Sequence, residues 1–392
     1  MIRLSVAGDE GNVFGPADLP PLDPEEAVHV AAVRRRLREL ARSAGGILPF
    51  ARFMEEALYA PDLGYYTGER PVFGSAGDYT TASDESDAYA ALFAHKAAAL
   101  VASGLPPAVL EIGPGTGRFA ADFVRELALR GIALTAYHLL EPHPRRASGQ
   151  RALLAAAGNG PFRWCQRAPE GFRGLVLAHE VFDARPCARF ARTAEGPRAW
   201  GRVEENESLA WRLVPAEPSL AAEIDAIESD LGGPLPVPYL SEAVMDYAPV
   251  LALLDGVSDA LFLAVDYGHP RRTFYHPERR AGTLRCHYRH RVHDDPLHAP
   301  GVEDITAHVD FTRLAFLAEA TGWTVEGFLP LAGFAVAQGS LEAVAVSPAR
   351  RRGLARLVDP SVMGEVFKVL VLARGEATPL PDCAESDRLA TL

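Results

Sequence analysis

The sequence predicts an α/β protein: a doubly wound sheet with an N-terminal helical part and an α+β insertion between strands four and five. Three observations predict it. Short apolar runs alternate with amphipathic segments from 105 to 189. A glycine-rich turn, Gly113-Pro114-Gly115-Thr116-Gly117, joins the first such run to the amphipathic segment after it. The alternation stops near 190 and resumes at Ala260. Short buried strands alternating with helices are the pattern of a parallel sheet covered on both faces.

The 392 residues suffice for two or three domains at about 150 residues each. They are 48% hydrophobic and 23% charged, an ordinary balance for a soluble globular chain. The net charge of −12 weighs against a nucleic-acid partner, which needs a basic surface. Cys165, Cys187, Cys286 and Cys383 form no CxxC pair, so neither a zinc ribbon nor a disulfide framework is indicated. The first 20 residues have no apolar run of a secretory signal and are too acidic for a mitochondrial presequence. The longest apolar stretch is broken by Asp255 and Asp259, so no membrane insertion is expected and the cytoplasm is the default location.

Residues 1–22, rich in Gly, Pro and Asp, read as a flexible arm. Residues 23–104 read as an N-terminal helical part with a loop. Asp23-Pro24-Glu25-Glu26 offers an N-cap, a proline at the first helical position and acids in the first turn. That helix is expected to run to about Arg42 and stop at Gly45-Gly46. Ile47 to Tyr59 reads as a second helix, Asp62 to Asp84 as a structured loop and Ser86 to Ser103 as an Ala-rich helix. Residues 105–189 form the first half of the core. Strands are expected over 108–112, 133–140, 162–164 and 174–178, with helices over 118–130 and 145–157.

Residues 190–255 are the insertion. Trp200, Val203, Leu209, Trp211 and Leu213 alternate with polar residues and predict antiparallel strands, followed by helices over 218–231 and 240–254. Residues 256–375 are the second half of the core. They begin with a strand ending at Asp266, continue through a long His-rich loop, and close with a helix over 311–321 and a strand over 323–328. The tail, 376–392, is expected to fray.

The strongest local signal is Glu111-Ile112-Gly113-Pro114-Gly115-Thr116-Gly117. Glycines let the backbone turn sharply and let a ligand approach where a Cβ would collide. The spacing is GxGxG rather than the dinucleotide GxGxxG, and Arg118 stands where the third dinucleotide glycine would be. With Glu111 placed to meet a methionine ammonium, the turn suits S-adenosylmethionine; the alternative is a strand–helix turn with no ligand. Glu141 ends the second strand, where an acid can accept both ribose hydroxyls or stand as a solvated carboxylate. The fourth strand ends in Glu180 and, three residues on, Asp183. One helical turn would put both on one side, able to grip a guanidinium, unless one merely caps a following helix.

Pro186-Cys187 matches the nucleophile pair of cytosine-5 DNA methyltransferases, but the acidic balance favours a buried inert thiol. The Asn-Pro-Pro-Tyr-like segment of amino-group DNA methyltransferases is absent. Seven of the twelve His lie between 269 and 308. His290, His293 and His298 could form a metal site with Asp294 and Asp295. An HxxH on a Pro-rich loop without a supporting Cys reads instead as a polar lid, so no metal is expected.

Several motifs then coincide in order: GDYTTAS (77–83), EIGPGTGRFAADF (111–123), HLLEPHP (138–144), HEVFDARP (179–186), GTLRCHYRH (282–290), DITAHVDFT (304–312) and MGEVFKVLVLARG (363–375). Over roughly residues 45–375 the chain resembles the MidA-like family of class I S-adenosylmethionine-dependent methyltransferases. The eukaryotic members of that family are mitochondrial complex I assembly arginine methyltransferases.

The resemblance implies a Rossmann-like core and symmetric dimethylation of a protein arginine. It makes a respiratory complex I subunit the candidate target and an assembly factor the candidate role. On this reading Gly113, Gly115 and Gly117 hold the methionine part and Glu141 the ribose. Asp78 and Tyr79 close over the cofactor, and Glu180 and Asp183 orient the acceptor. The chain departs from the family pattern at Ser83-Asp84, usually Pro-Glu, at His179, usually Asn, and at Ala184-Arg185-Pro186, usually Ala-Leu-Pro. A small-molecule O- or N-methyltransferase and a non-catalytic cofactor-binding assembly factor are the other functions considered.

Overall fold

The computed structural model describes residues 19–68, 70, 72, 86–158, 160–205, 208–376 and 386–392. The chain divides into two compact units. The core unit comprises 80–182, 247–270 and 311–392; the second unit comprises 1–79, 183–246 and 271–310.

In the core unit, helix α1 (Asp87–Ala102) is followed by β1 (Ala108–Ile112), α2 (Arg118–Leu129), β2 (Ala136–Leu140), α3 (Pro144–Ala157), β3 (Phe162–Cys165) and β4 (Phe172–His179). After the excursion into the second unit come β5 (Val257–His269), α4 (Phe311–Ala320), β6 (Thr324–Pro330), α5 (Pro348–Val358) and β7 (Phe367–Arg374). The strands lie in the order β3-β2-β1-β4-β5-β7-β6. The first five are parallel, and β7 runs antiparallel between β5 and β6. The order reverses between β1 and β4, the switch point at whose carboxyl ends such sheets bind ligands.

The central strands are buried on both faces, which is why Leu175-Val176-Leu177 and Leu261-Phe262-Leu263 read as unbroken apolar runs. Helix α2 turns Phe119, Phe123 and Leu127 onto the sheet. Ser86 caps α1 by accepting from Ala88 N at 3.1 Å. Arg350, from α5, donates to Asp87 of α1 at 2.9 Å and also bonds Glu126 of α2, joining three helices through one guanidinium.

The chain's last residues are docked rather than frayed. Asp387 accepts from Phe328 N at 2.8 Å, and Arg388 forms a two-pronged bond to Glu365, each prong 2.8 Å. No sequence periodicity announces a segment held by one carboxylate and one arginine.

In the second unit, a helix over Pro24–Ser43 begins with a capping box in which Asp23 and Glu26 each accept the other's backbone N–H. The expected helix from Ile47 is instead a strand, Ile47–Pro49, followed by a helix, Phe50–Tyr59. Pro49 holds Leu48 extended, and Leu48 pairs with Arg202. The strand Gly196–Glu205 pairs with Ser208–Pro215 along one edge and with Ala188–Thr193 and Ile47–Pro49 along the other. Trp211 packs on Phe50 and Phe53 at 5.6 and 5.4 Å.

The helix expected over 240–254 is also corrected. Tyr239–Ala243 is a strand paired with Ala188–Thr193, and only Ala248–Ala252 is helical. Val244, at φ 52°, turns the chain between them, and Asp246 N donates to Pro186 O at 2.9 Å. The His-rich stretch is not a bare loop. Arg285–Tyr288, Arg291–His293 and Asp304–Thr306 form a three-stranded sheet with Arg285–Tyr288 at its centre.

Candidate active site

The glycine turn occupies the carboxyl end of β1, at the switch point. Gly113 and Gly117 have φ of 63° and 85°, a region costly for residues with a side chain. A Cβ on Gly113 would stand 3.2 Å from the Val181 side chain. Gly115 also has a positive φ, 52°, and its carbonyl accepts from Gln150 Nε2 at 2.9 Å. Glu111 sits two residues before the turn, buried, and accepts from Tyr137 OH at 2.8 Å. Burial pushes its carboxyl up to about 7, against the opposing effect of the Tyr137 bond. A hidden carboxyl with one phenol for support is suited to an incoming ammonium.

Glu141 follows β2 directly. One oxygen accepts from His143 N at 2.9 Å and the other from Gln150 Nε2 at 3.1 Å. Arg146 lies 3.6 Å away. A carboxylate has about four lone-pair positions, so this grip fixes the group and leaves acceptor capacity for ribose hydroxyls. Gln150, which the sequence reading missed, is central here. Buried on α3, it bonds Gly115 and Glu141 and accepts from Trp164 Nε1 at 2.9 Å. No spacing rule marks a glutamine in mid-helix as the brace of two motifs.

Glu180 follows β4 with a φ of 52°. Its N–H donates to Val265 O at 2.9 Å. The next two amides, Val181 N and Phe182 N, donate to one oxygen of Asp266, at 3.1 and 2.9 Å. Tyr267 N donates to the other at 2.9 Å. Fully buried within β5, Asp266 therefore pins the backbone that displays Glu180. The sequence reading saw Asp266 only as the end of a strand.

The helical turn expected to align Glu180 with Asp183 does not form. Residues 181–187 are turn and extended backbone, so neither acid caps a following helix. Asp183 belongs to the second unit, where it accepts from Ala184 N at 2.8 Å and its carbonyl accepts from Ala307 N at 2.9 Å. Asp78, Tyr79 and the Ser83-Asp84 departure lie outside the described residues.

Burial drives the Tyr89 phenol well above its usual pKa, and the negative charges of Glu180, Asp266 and Glu111 add to the shift. Three carboxyl groups, from β1, β5 and the residue after β4, thus lie near the Tyr89 phenol. His179 Nδ1 meets Tyr89 OH at 2.7 Å, and its ring packs against Phe119 at 4.5 Å. Burial pushes its pKa down to about 3, so the imidazole is neutral and no general acid at ordinary pH. Cys187 is buried with its thiol pKa driven up, and Sγ lies 3.9 Å from Met54 Sδ. It is an inert core thiol, and the cytosine-methyltransferase reading of Pro186-Cys187 has no support.

The His-rich stretch is partly gathered. His293 Nε2 and His298 Nδ1 lie 3.2 and 3.0 Å from the Glu303 carboxylate. His290, at φ 61°, lies in the turn between two strands.

A family of S-adenosyl-L-methionine-dependent methyltransferases matches residues 93–329. The chain belongs to this family. A superfamily member from Burkholderia thailandensis, solved with S-adenosyl-homocysteine bound, is 31% identical to this methyltransferase. It aligns with a TM-score of 0.88 over 95% of this chain and 100% of that one. The mouse mitochondrial protein arginine methyltransferase NDUFAF7 is 29% identical, over 89% of this chain and 86% of its own. The human protein of that name is 27% identical, over 92% and 87%.

The cofactor of this methyltransferase is S-adenosylmethionine. The residues present fit it: backbone turned at positive φ where side chains would intrude, a buried carboxyl for an ammonium and a braced carboxylate for ribose. Among the described residues no helix is long and apolar enough to cross a membrane.

Proposed function

We propose that this methyltransferase acts on an arginine side chain of a protein. The observation that carries the reading is the display of Glu180 at the end of β4, on backbone pinned by Asp266. A guanidinium is cationic, planar and a poor nucleophile while its lone pair is delocalised. Carboxylates that bind two of its nitrogens concentrate positive charge away from the third. Glu180 and Asp183, three apart in the chain, are the acids assigned that task.

The bound cofactor supplies an electrophilic sulfonium methyl. Gly113, Gly115, Gly117 and Glu111 hold its methionine part, Glu141 holds its ribose, and Asp78 and Tyr79 cover it. The chain's own contribution is alignment and exclusion of water. The relatives named as protein arginine methyltransferases support the acceptor class. By the same analogy the reading extends to symmetric dimethylation of a respiratory complex I subunit, with the chain acting in the cytoplasm as an assembly factor.

The test is transfer of label from cofactor to proteins in a lysate of a strain lacking this chain. One labelled band, lost when its target Arg becomes Lys, is expected. Label in metabolites alone would make the protein a small-molecule methyltransferase. Cofactor binding without label in any fraction would make it a binding module.

A further inference from the structure

We propose that Cys286, His293 and Glu303 form a zinc site in the second unit. The sequence argues against a metal in the His-rich stretch because its HxxH lacks a supporting cysteine. The fold supplies one. In the three-stranded sheet Cys286 pairs directly across from His293 on one side and from Ile305 on the other. Directly opposed residues share a face of a sheet, and so do residues two apart on one strand. Cys286 and His293 therefore share one face, and Glu303, the residue just before the strand Asp304–Thr306, is brought to them although 17 positions separate it from Cys286.

All three side chains are fully buried, and their ligand atoms lie within 4.8 Å of one another. Two of those groups also carry unanswered polar atoms. His293 Nε2 and Glu303 Oε1 are hidden from solvent and make no hydrogen bond among the described residues. The Nε2 lies 3.2 Å from Glu303 Oε2 without forming one. A buried carboxylate is costly unless its charge is answered. A buried cluster of one thiol, one imidazole and one carboxylate is a cation site by its chemistry.

The donor set selects the metal. Thiolate with imidazole favours zinc over magnesium or calcium, which take oxygen ligands. Zinc bonds of about 2.0–2.3 Å place tetrahedral ligand atoms about 3.3–3.8 Å apart. The pair at 3.2 Å is within about 0.1 Å of that spacing, and since no separation exceeds 4.8 Å, the others need close by at most about 1–1.5 Å. His298 Nδ1, 3.0 Å from Glu303 Oε2, holds the carboxylate from outside, and the fourth position falls to water.

The proton balance is defined. His293 Nδ1 takes a long 3.4 Å bond from Asp295 N, which puts the ring proton on Nε2 in the metal-free chain. Binding moves that proton to Nδ1, gives up the long bond and releases the Cys286 thiol proton to solvent. The metal then fastens the strand pair to the 294–303 connection.

The experiment is elemental analysis of the full chain, purified without chelator from zinc-supplemented medium and freed of any affinity tag. About one equivalent of zinc is expected, falling at least tenfold in Cys286→Ser and in His293→Ala. S-adenosyl-homocysteine binding in the core unit serves as the folding control for both variants. Chelation should lower the Tm, and zinc at a hundredfold excess over its Kd should restore it by roughly 5 °C. Cobalt substitution adds a readout independent of stability: a thiolate-to-metal absorption band, absent in Cys286→Ser. No metal in the parent and no Tm response to added zinc would overturn the site. So would undiminished zinc in both variants.

Discussion

The carboxyl groups of Glu111 and Glu303 are both hidden from water, one in each unit, and their neighbours differ. Glu111 has a single phenol, and burial lifts its pKa to about 7. Glu303 lies between two imidazoles and beside a thiol. On the proposed reading the first group is completed by the cofactor's ammonium, a ligand that comes and goes. The second is enclosed by its own unit and suits a resident ion. On both proposals a buried acid marks a binding site, and its neighbours decide whether the occupant exchanges.

The largest effect that tests this contrast comes from Gly115→Val. A branched side chain at a φ of 52° is strained, and it would stand on the turn proposed to hold the cofactor. Calorimetry should show S-adenosylmethionine binding to the parent and none to the variant, while the zinc content of the second unit stays unchanged. Tighter binding of NAD than of S-adenosylmethionine by the parent would remove the assignment of this turn.

Next come the acceptor acids. Glu180→Gln and Asp183→Asn should each lower protein methylation by about 100-fold, roughly 2.7 kcal/mol of barrier, with cofactor Kd within about threefold. Asp266→Asn leaves Glu180 in place but weakens the clamp on Val181 and Phe182, and a smaller loss of about tenfold is expected. Full activity in both Glu180→Gln and Asp183→Asn would leave the arginine reading to the relatives alone.

What the sequence made legible follows from how each feature is encoded. The turn at 113–117 is a run of consecutive residues, and its meaning lies in backbone conformation that glycine alone permits cheaply. The unbroken apolar strands announce burial on both faces. The brace at Gln150 and the clamp at Asp266 are single side chains reaching across the sheet, and no local pattern contains them. The Cys286–His293 pairing depends on hairpin register, and without it the thiol counts as one scattered cysteine. The strand at 239–243 stands where a helix over 240–254 is expected, and the turn at Val244 ends it.

Glu141→Ala tests the ribose end of the crevice. Hydrogen bonds to a charged group contribute about 1.5–3 kcal/mol, so cofactor affinity should fall roughly 10–150-fold. The substitution also releases Gln150 Nε2 and His143 N, so thermal unfolding must be followed alongside. An unchanged Kd would take Glu141 out of the site.

The most graded effect, and the one that bears most directly on Glu111, is the pH dependence of cofactor binding. Free Glu111 titrates at about 7, raised from 4.5 by burial. A raised carboxyl means that the folded chain holds a proton the unfolded chain has released. The group's contribution to stability is therefore full below pH 4.5 and is lost as pH rises to about 7. An ammonium reverses the preference, because only the carboxylate pairs with it. Binding then expels a proton below pH 7, and affinity must rise with pH, approaching tenfold per unit well below 7 and levelling above it. The α-amino group of the ligand, near pH 8 when free, sets the upper end of the plateau. S-adenosyl-homocysteine carries the same ammonium and is the probe of choice for calorimetry from pH 5.5 to 7.5. The parent should show the rise with proton release measurable as a buffer-dependent enthalpy, and Glu111→Gln should bind more weakly with a flat profile. A flat profile in the parent would mean that Glu111 is a structural carboxylic acid held by Tyr137, and that the ammonium is met elsewhere.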